Sequence, residues 1–260
     1  MYKILVSDKL GAAGLEMLDQ AEDVQYDMKT GLSKDELIAI LPAYDALIVR
    51  SDTKADAEVL AAGSKLRVIG RAGVGIDNID VVAASQRGII VMNTPTSNNI
   101  AAAEQDMALM LTASRFTVPA HNSLANGRWD RAQYVGYELY GKTLGVIGFG
   151  RIGRLVTERA QAFGMEVIAY DPYVSEEVGQ GLGVTLVDLE DLFSAADYIT
   201  LHTAYTPETD KIINAAAIAQ MKDSVIIVNG ARGKLIDEQA LAEALKNGKG
   251  AGGGRGRIQQ

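Results

Sequence analysis

Residues 144–153 read Leu144-Gly145-Val146-Ile147-Gly148-Phe149-Gly150-Arg151-Ile152-Gly153, an uncharged apolar run that breaks into a glycine-spaced turn. A strand buried on both faces reads this way, as a short continuous run rather than an alternation. Helical periodicity follows at once over residues 152–163. The three glycines have separate physical uses. Gly148 permits the tight turn, Gly150 lets a pyrophosphate approach the backbone, and Gly153 lets the helix pack closely on the strand. The helix start, with Arg151 and Ile152 in its first turn, offers unpaired N–H groups and a positive dipole end to phosphates. Arg151 either pairs with the pyrophosphate or lies in solvent.

The next predicted strand covers residues 166–170, and Asp171 follows it about 20 residues beyond the turn, as a dinucleotide fingerprint requires. A carboxylate there accepts hydrogen bonds from ribose hydroxyls and repels a 2′-phosphate. NAD is therefore favoured over NADP. A glycine-rich turn beside a solvated aspartate is the alternative reading. It leaves the placement of strand, loop, helix and acid unexplained.

Working outward, the same strand–helix rhythm extends in both directions and predicts an α/β fold. Before the loop, strands at 3–6, 46–49, 66–69 and 89–92 alternate with helices at 12–19, 34–41, 55–61 and 81–86. After it come strands at 166–170, 198–201 and 224–228 and helices at 189–194, 215–221 and 238–247. Between the two series, Asn93-Thr94-Pro95-Thr96-Ser97-Asn98-Asn99 breaks periodicity with turn formers. A hinge there divides the chain into domains 1–97 and 98–249. The Gly/Arg-rich residues 250–260 carry no apolar pattern and are predicted to be a disordered tail. Residues 101–110 are apolar on most faces, which fits either a helix buried in its own domain or a pairing face between two copies.

Composition narrows the function classes. With 48% hydrophobic residues in 260, the chain can build sizeable cores. It has no cysteine, which removes disulfides, thiolate metal sites and thiol catalysis, and no metal site is predicted. A net charge of −8 disfavours non-specific nucleic-acid binding, which needs a basic surface. No apolar run approaches the roughly 20 residues that span a bilayer, and the N-terminus lacks a signal-peptide core. The expected location is the cytoplasm.

With these features in place, the chain resembles the D-isomer-specific 2-hydroxyacid dehydrogenases, and within them the phosphoglycerate branch, over nearly everything up to Lys249. The resemblance rests on Leu47-Ile48-Val49-Arg50-Ser51, Gly70-Arg71-Ala72-Gly73-Val74-Gly75-Ile76-Asp77-Asn78 and Met92-Asn93-Thr94-Pro95. It continues through Glu138-Leu139-Tyr140-Gly141-Lys142-Thr143, Leu201-His202, Thr206-Pro207-Glu208-Thr209 and Asn229-Gly230-Ala231-Arg232-Gly233. It implies a flavodoxin-like substrate domain, then a Rossmann NAD-binding domain, with hydride passing between a D-2-hydroxy acid and NAD in a cleft between them. Arg232 would be the catalytic arginine that clamps the substrate carboxylate and carbonyl. Backbone N–H groups of Ala72, Gly73, Val74 and Gly75 would meet the carboxylate, with Asn98 beside the substrate. Arg50 and Arg71 would meet a substrate phosphate or pair with surface acids. His202, Thr203 and Ala231 would line the cofactor; His202 fits a positioning role equally well. His121 reads as a surface or packing residue.

The departures matter as much. The family continues past the position of Lys249 with a strand carrying an aspartate, a returning helix, a catalytic Glu and a catalytic His. None has a counterpart here. Gln105 stands where relatives often carry His, and Ala204-Tyr205 where Pro-Leu is common. The resemblance thus implies a C-terminally truncated form with little dehydrogenase activity of its own. A partner 2-hydroxy or 2-keto acid, with or without a phosphate, and a homodimer are implied for the intact enzyme. The competing expectation is a non-catalytic NAD sensor or interaction protein.

Overall fold

A computed structural model describes residues 1–249 and the backbone of residues 258–259. The chain divides into two compact units, Met1–Asn98 and Asn99–Gln260, one residue past the expected hinge. Asn98 therefore closes the first unit.

The first unit runs β1 (Tyr2–Val6), α1 (Ala12–Asp19), β2 (Val24–Met28), α2 (Lys34–Ile40), β3 (Ala46–Val49), α3 (Ala57–Ala62), β4 (Val68–Arg71), α4 (Val81–Gln86) and β5 (Ile90–Asn93). Its strands pair in parallel in the order β2-β1-β3-β4-β5, the flavodoxin-like arrangement. Leu5, Leu47, Val49 and Ile69 pack from the sheet onto Leu37, Leu41, Val59 and Leu60. Short polar caps start the helices: Ser33 and Glu36 form a reciprocal capping box on α2, and Asp56 accepts two backbone N–H bonds on α3.

The second unit begins with α5 (Asn99–Arg115) and α6 (Thr117–Ala125). It then alternates β6 (Thr143–Ile147), α7 (Arg151–Ala162), β7 (Glu166–Tyr170), α8 (Glu176–Gln180), β8 (Thr185–Leu186), α9 (Leu189–Ala195), β9 (Tyr198–Leu201), α10 (Ala215–Gln220), β10 (Ile226–Asn229) and α11 (Glu238–Lys246), with β11 at Ile258–Gln259. All strands are parallel. Read across the sheet, the order is β8-β7-β6-β9-β10-β11, which counted from β6 is the 3-2-1-4-5-6 order of a Rossmann fold. Cores cover both faces. Met107, Met110, Val156 and Ala160 of α5 and α7 pack on Leu144 and Val146, while Leu192, Ile218 and Leu241 pack opposite on Ile147, Ile199 and Ile227.

Some expectations are corrected. The apolar stretch 101–110 is one-sided: Ala103, Met107 and Met110 are buried in their own unit, whereas Glu104, Gln105 and Ala108 are exposed. Its buried side is that of a core helix, the first of the two readings. β2, α8 and β8 were not predicted, because β2 is an edge strand with no buried residue and the other two are very short. Of the tail expected to be disordered, residues 250–257 and 260 lie outside those described. Ile258–Gln259, however, pairs in parallel with Ile227 and Val228, taking the sixth place beside a strand whose edge would otherwise be open.

Candidate functional site

β6 stands where strand order reverses, with β7 on one side and β9 on the other. Ligands of doubly wound sheets bind beyond the carboxyl ends of the strands at such a switch point. The loop leaving β6 is anchored from below, since Phe149 is fully buried in the core. That burial contributes roughly 2–3 kcal/mol to holding the loop down. Gly148 adopts φ +93°, and its amide donates to the Tyr170 carbonyl at 2.9 Å. A Cβ here would lie 2.6 Å from the Thr203 nitrogen and 2.7 Å from the His202 carbonyl carbon. At Gly153 a Cβ would collide with the Gly148 carbonyl oxygen, so α7 crosses the loop in direct backbone contact.

Gly150 differs. It is the exposed N-cap of α7 at φ −78°, makes no side-chain cap, and has nothing within 4 Å of where a Cβ would stand. Open space at the start of a 12-residue helix is the cradle a pyrophosphate needs, because the first-turn N–H groups have no partner within the helix. Arg151 is exposed at the first helical position, and Ile152 packs inward against the core.

Asp171 is half-buried at the end of β7 and does more than the sequence indicates. Its Oδ2 accepts from the Phe149 amide at 2.8 Å, inside the glycine loop, and its Oδ1 accepts from the Tyr173 amide at 3.0 Å. A carboxylate has about four acceptor sites, so two ribose hydroxyls can still be met. The residues present thus fit a dinucleotide: cradle, helix terminus and acid converge on one loop.

At the end of β10, Asn229 folds the next turn around its side chain. Its Oδ1 accepts from the Ala231 amide at 3.0 Å and its Nδ2 donates to the Arg232 carbonyl at 2.9 Å. The Arg232 guanidinium donates to the Ala231 carbonyl at 2.8 Å and lines a cavity of about 320 Å³ with Gln105, Leu109, Asn229 and Gly230. Asn229 was not singled out from sequence, although its place two residues before a turn is the signal that would have found it.

His202 and Asp106 form the least expected part. Both side chains are 2% exposed, with His202 Nδ1 3.5 Å from Asp106 Oδ2. His202 Nε2 lies 2.9 Å from the Thr200 hydroxyl. Burial pulls the imidazole down to about 4 and pushes the carboxyl up to about 6. Near neutral pH the contact is therefore a carboxylate facing a neutral ring, not an ion pair. These two shifts give opposite linkage. Asp106 binds its proton more tightly folded than unfolded (ordinary value 3.8), so its support for folding is lost as pH rises from about 4 to about 6. His202 is the reverse, and its support is lost as pH falls from 6.5 to about 4. Each leg is worth ~3 kcal/mol at 1.36 kcal/mol per unit, and in the wild type they largely offset. Urea unfolding between pH 4 and 7 should show D106N losing stability steeply on acidification and H202N gaining it. Parallel curves for both variants and the wild type would contradict this.

In the first unit, Arg50 and Arg71 end the adjacent strands β3 and β4. Asp8 is buried and accepts from the Arg50 and Thr53 amides, fixing that turn. Arg71 Nη2 donates to Ser51 Oγ at 3.3 Å, and its Nε is buried without a partner among the described residues. The carboxylate-binding loop expected at 72–75 is smaller than predicted. Ala72 N–H donates to Val49 O and Gly73 N–H to Arg71 O, both at 2.9 Å, because the strand ladder and turn consume them. Among the described residues, this leaves Val74 and Gly75 as the loop's available donors. Asn98 is exposed. His121 is exposed on α6, and no hydrogen bond or ion pair among the described residues ties it to the loop or the turn.

Residues 107–254 match the family model described as the D-isomer specific 2-hydroxyacid dehydrogenase NAD binding domain. Two D-3-phosphoglycerate dehydrogenases are similar: that of Methanocaldococcus jannaschii at 53% identity over 96% of this chain, and that of Synechocystis sp. at 50% over 95%. This chain covers 47% and 44% of those proteins, so it spans about half the length of the curated relatives it matches. Among solved structures, the D-lactate dehydrogenase of Aquifex aeolicus, complexed with NAD and lactic acid, superposes with a TM-score of 0.84 at 30% identity, covering 95% of this chain and 74% of that one. A loop shaped by Gly148, Gly150, Gly153 and Asp171 and a match over more than half the residues agree: the chain belongs to the D-isomer specific 2-hydroxyacid dehydrogenase family, with NAD as the cofactor of its Rossmann unit.

Proposed function

We propose that the protein carrying this sequence is an NAD-dependent oxidoreductase of D-2-hydroxy acids, most like D-3-phosphoglycerate dehydrogenase and so serving serine biosynthesis in the cytoplasm. The observation that carries the reading is Asp171, hydrogen-bonded into the glycine loop at the switch point of the sheet. NAD, when bound, supplies the hydride acceptor. The chain's own residues hold and orient. The α7 terminus takes the pyrophosphate, Asp171 the ribose, and Thr203, Ala231 and the main chain of His202 the strand-end side of the cofactor. Arg232 takes the substrate carboxylate and polarises its carbonyl, since a guanidinium fork matches both oxygens. Arg50 and Arg71 receive the phosphate of a phosphorylated substrate, and the Val74 and Gly75 amides meet its carboxylate. A homodimer is supported by exposed apolar side chains on and after α6, including Val118, Leu124, Trp129 and Tyr140.

Neither histidine suits the proton transfer that oxidation of a hydroxyl requires. His202 is buried and titrates near 4, and His121 sits on α6. The second reading is a non-catalytic NAD-binding sensor or interaction protein, favoured by the burial of His202 away from the reacting atoms. Titration of NADH fluorescence should show saturable binding, with NADPH at least tenfold weaker because Asp171 opposes a 2′-phosphate. No NADH binding would remove both readings. An NADH-coupled assay on 3-phosphohydroxypyruvate then separates them, since rapid turnover would exclude a purely binding role.

A further inference from the structure

The buried contact between Asp106 and His202 joins elements that the two halves of the site depend on. His202 follows β9, and its amide donates to the Ile147 carbonyl at 2.8 Å, one residue before the glycine loop. Its own main chain is what a Cβ at Gly148 would strike. Across the ring, Asp106 arrives from α5. Its Oδ1 is buried, has no hydrogen-bond partner among the described residues, and lies against the Cα of Gly230, so closely that any Cβ there would collide with it. Gly230 leads directly into Ala231 and Arg232, the turn that Asn229 folds around itself. A continuous line of contacts therefore runs from Gly148 through His202 and Asp106 to Gly230.

Leaving a carboxylate oxygen buried and unbonded costs about 1–3 kcal/mol or more, so something must hold it there. The geometry supplies the means. An ionised carboxylate only accepts, which makes Nδ1 the protonated nitrogen of the neutral ring; Nε2 must then accept from the Thr200 hydroxyl. Nε2 is engaged by the Thr200 hydroxyl at 2.9 Å and Nδ1 faces the Asp106 carboxylate at 3.5 Å, and together these set the orientation of the ring. Of the ionisable groups nearby, Glu104 of α5 turns to Arg159 of α7 at 3.8 Å, and Arg232 donates to the Ala231 carbonyl within the turn.

We propose that Asp106 and His202 are a buried positioning couple that fixes the Arg232 turn against the dinucleotide loop. Neither residue touches substrate; they act through Gly230 and Gly148. The proposal rests on the reading of Arg232 as the substrate clamp only for its functional meaning, since the couple itself is read out independently. It also gives Gly230 a reason to be glycine.

The test uses the full chain, labelled with 15N. A long-range 1H–15N correlation spectrum reports which nitrogen of His202 carries the proton, and in the wild type at pH 7 it should be Nδ1. A wild-type His202 protonated on Nε2 would overturn the proposal without any variant. D106A should move the proton to Nε2, shift the Thr203 and Ala231 amide resonances together, and weaken NADH about tenfold. D106N, whose amide oxygen can still accept, should preserve the tautomer and keep the NADH affinity within about threefold of wild type. G230A, which displaces the carboxylate without removing it, should reproduce D106A. Unchanged Thr203 and Ala231 resonances in both D106A and G230A would overturn the proposal. Should the wild type fail to bind NADH, the functional reading falls, and the tautomer and amide shifts still decide the couple.

Discussion

Replacing Gly148 with alanine is expected to cost the protein about 2–6 kcal/mol and its NADH binding together. Two penalties combine. A side chain at φ +93° is strained by roughly 1–3 kcal/mol. The added methyl also meets the backbone of His202 and Thr203 at 2.6–2.7 Å, and main chain held in a ladder cannot swing aside as a flexible side chain would. Overpacking of that kind typically costs another 1–3 kcal/mol. Against a total stability of about 5–15 kcal/mol, this is a large fraction, and the melting temperature should fall by roughly 10 °C. Thermal unfolding followed by circular dichroism measures it. A melting temperature within 2 °C of wild type, roughly 1 kcal/mol at this size, would show that β6 and β9 do not meet as described.

Gly150→Ala should separate what Gly148→Ala confounds. Its backbone is in an ordinary region, and the new methyl meets no protein atom within 4 Å, so the unfolding midpoint should hold or rise slightly through the stiffer unfolded chain. The methyl instead occupies the space a pyrophosphate must enter. Loss of about 10- to 100-fold in NADH affinity is expected, ~1.4–2.8 kcal/mol, with the fold intact. Affinity within twofold of wild type would mean that the phosphates approach α7 elsewhere. The comparison is informative because the two glycines stand two positions apart and differ both in backbone conformation and in what surrounds them.

The sequence spelled out the parts of the site whose chemistry is local. Leu144 to Gly153 and Asp171 could be read because strand, turn and helix start each leave their own residue signature within a few positions. The turn-forming stretch after Met92 marked the division between units for the same reason. β2 was illegible because Val24-Gln25-Tyr26-Asp27-Met28, on a sheet edge, buries none of its side chains and shows no contrast between faces. Asp106 was illegible for a different reason. On α5 it looks like one more polar residue of an amphipathic helix, and its partner lies 96 positions along the chain, so only the folded sheet brings them together. The loop at 72–75 illustrates a third limit. Its glycines suggested free amides, but which N–H groups a strand ladder consumes depends on register, and β4 runs two residues later than the apolar pattern implies.

The central place of β6 also bears on how the second unit assembles. Its pairing with β7 closes a short crossover through α7, whereas its pairing with β9 must wait for β7, β8 and the helices between them to be bridged. Closing the longer segment costs more chain entropy before any contact rewards it. The crossovers β6–β7 and β9–β10 are both short, so the glycine loop and the Arg232 turn each belong to a local pairing, and the longer closure of β9 onto β6 is what brings the two together. Changes at the β6–β9 seam, where Gly148 meets His202, then act on the closure that unites the two halves of the sheet.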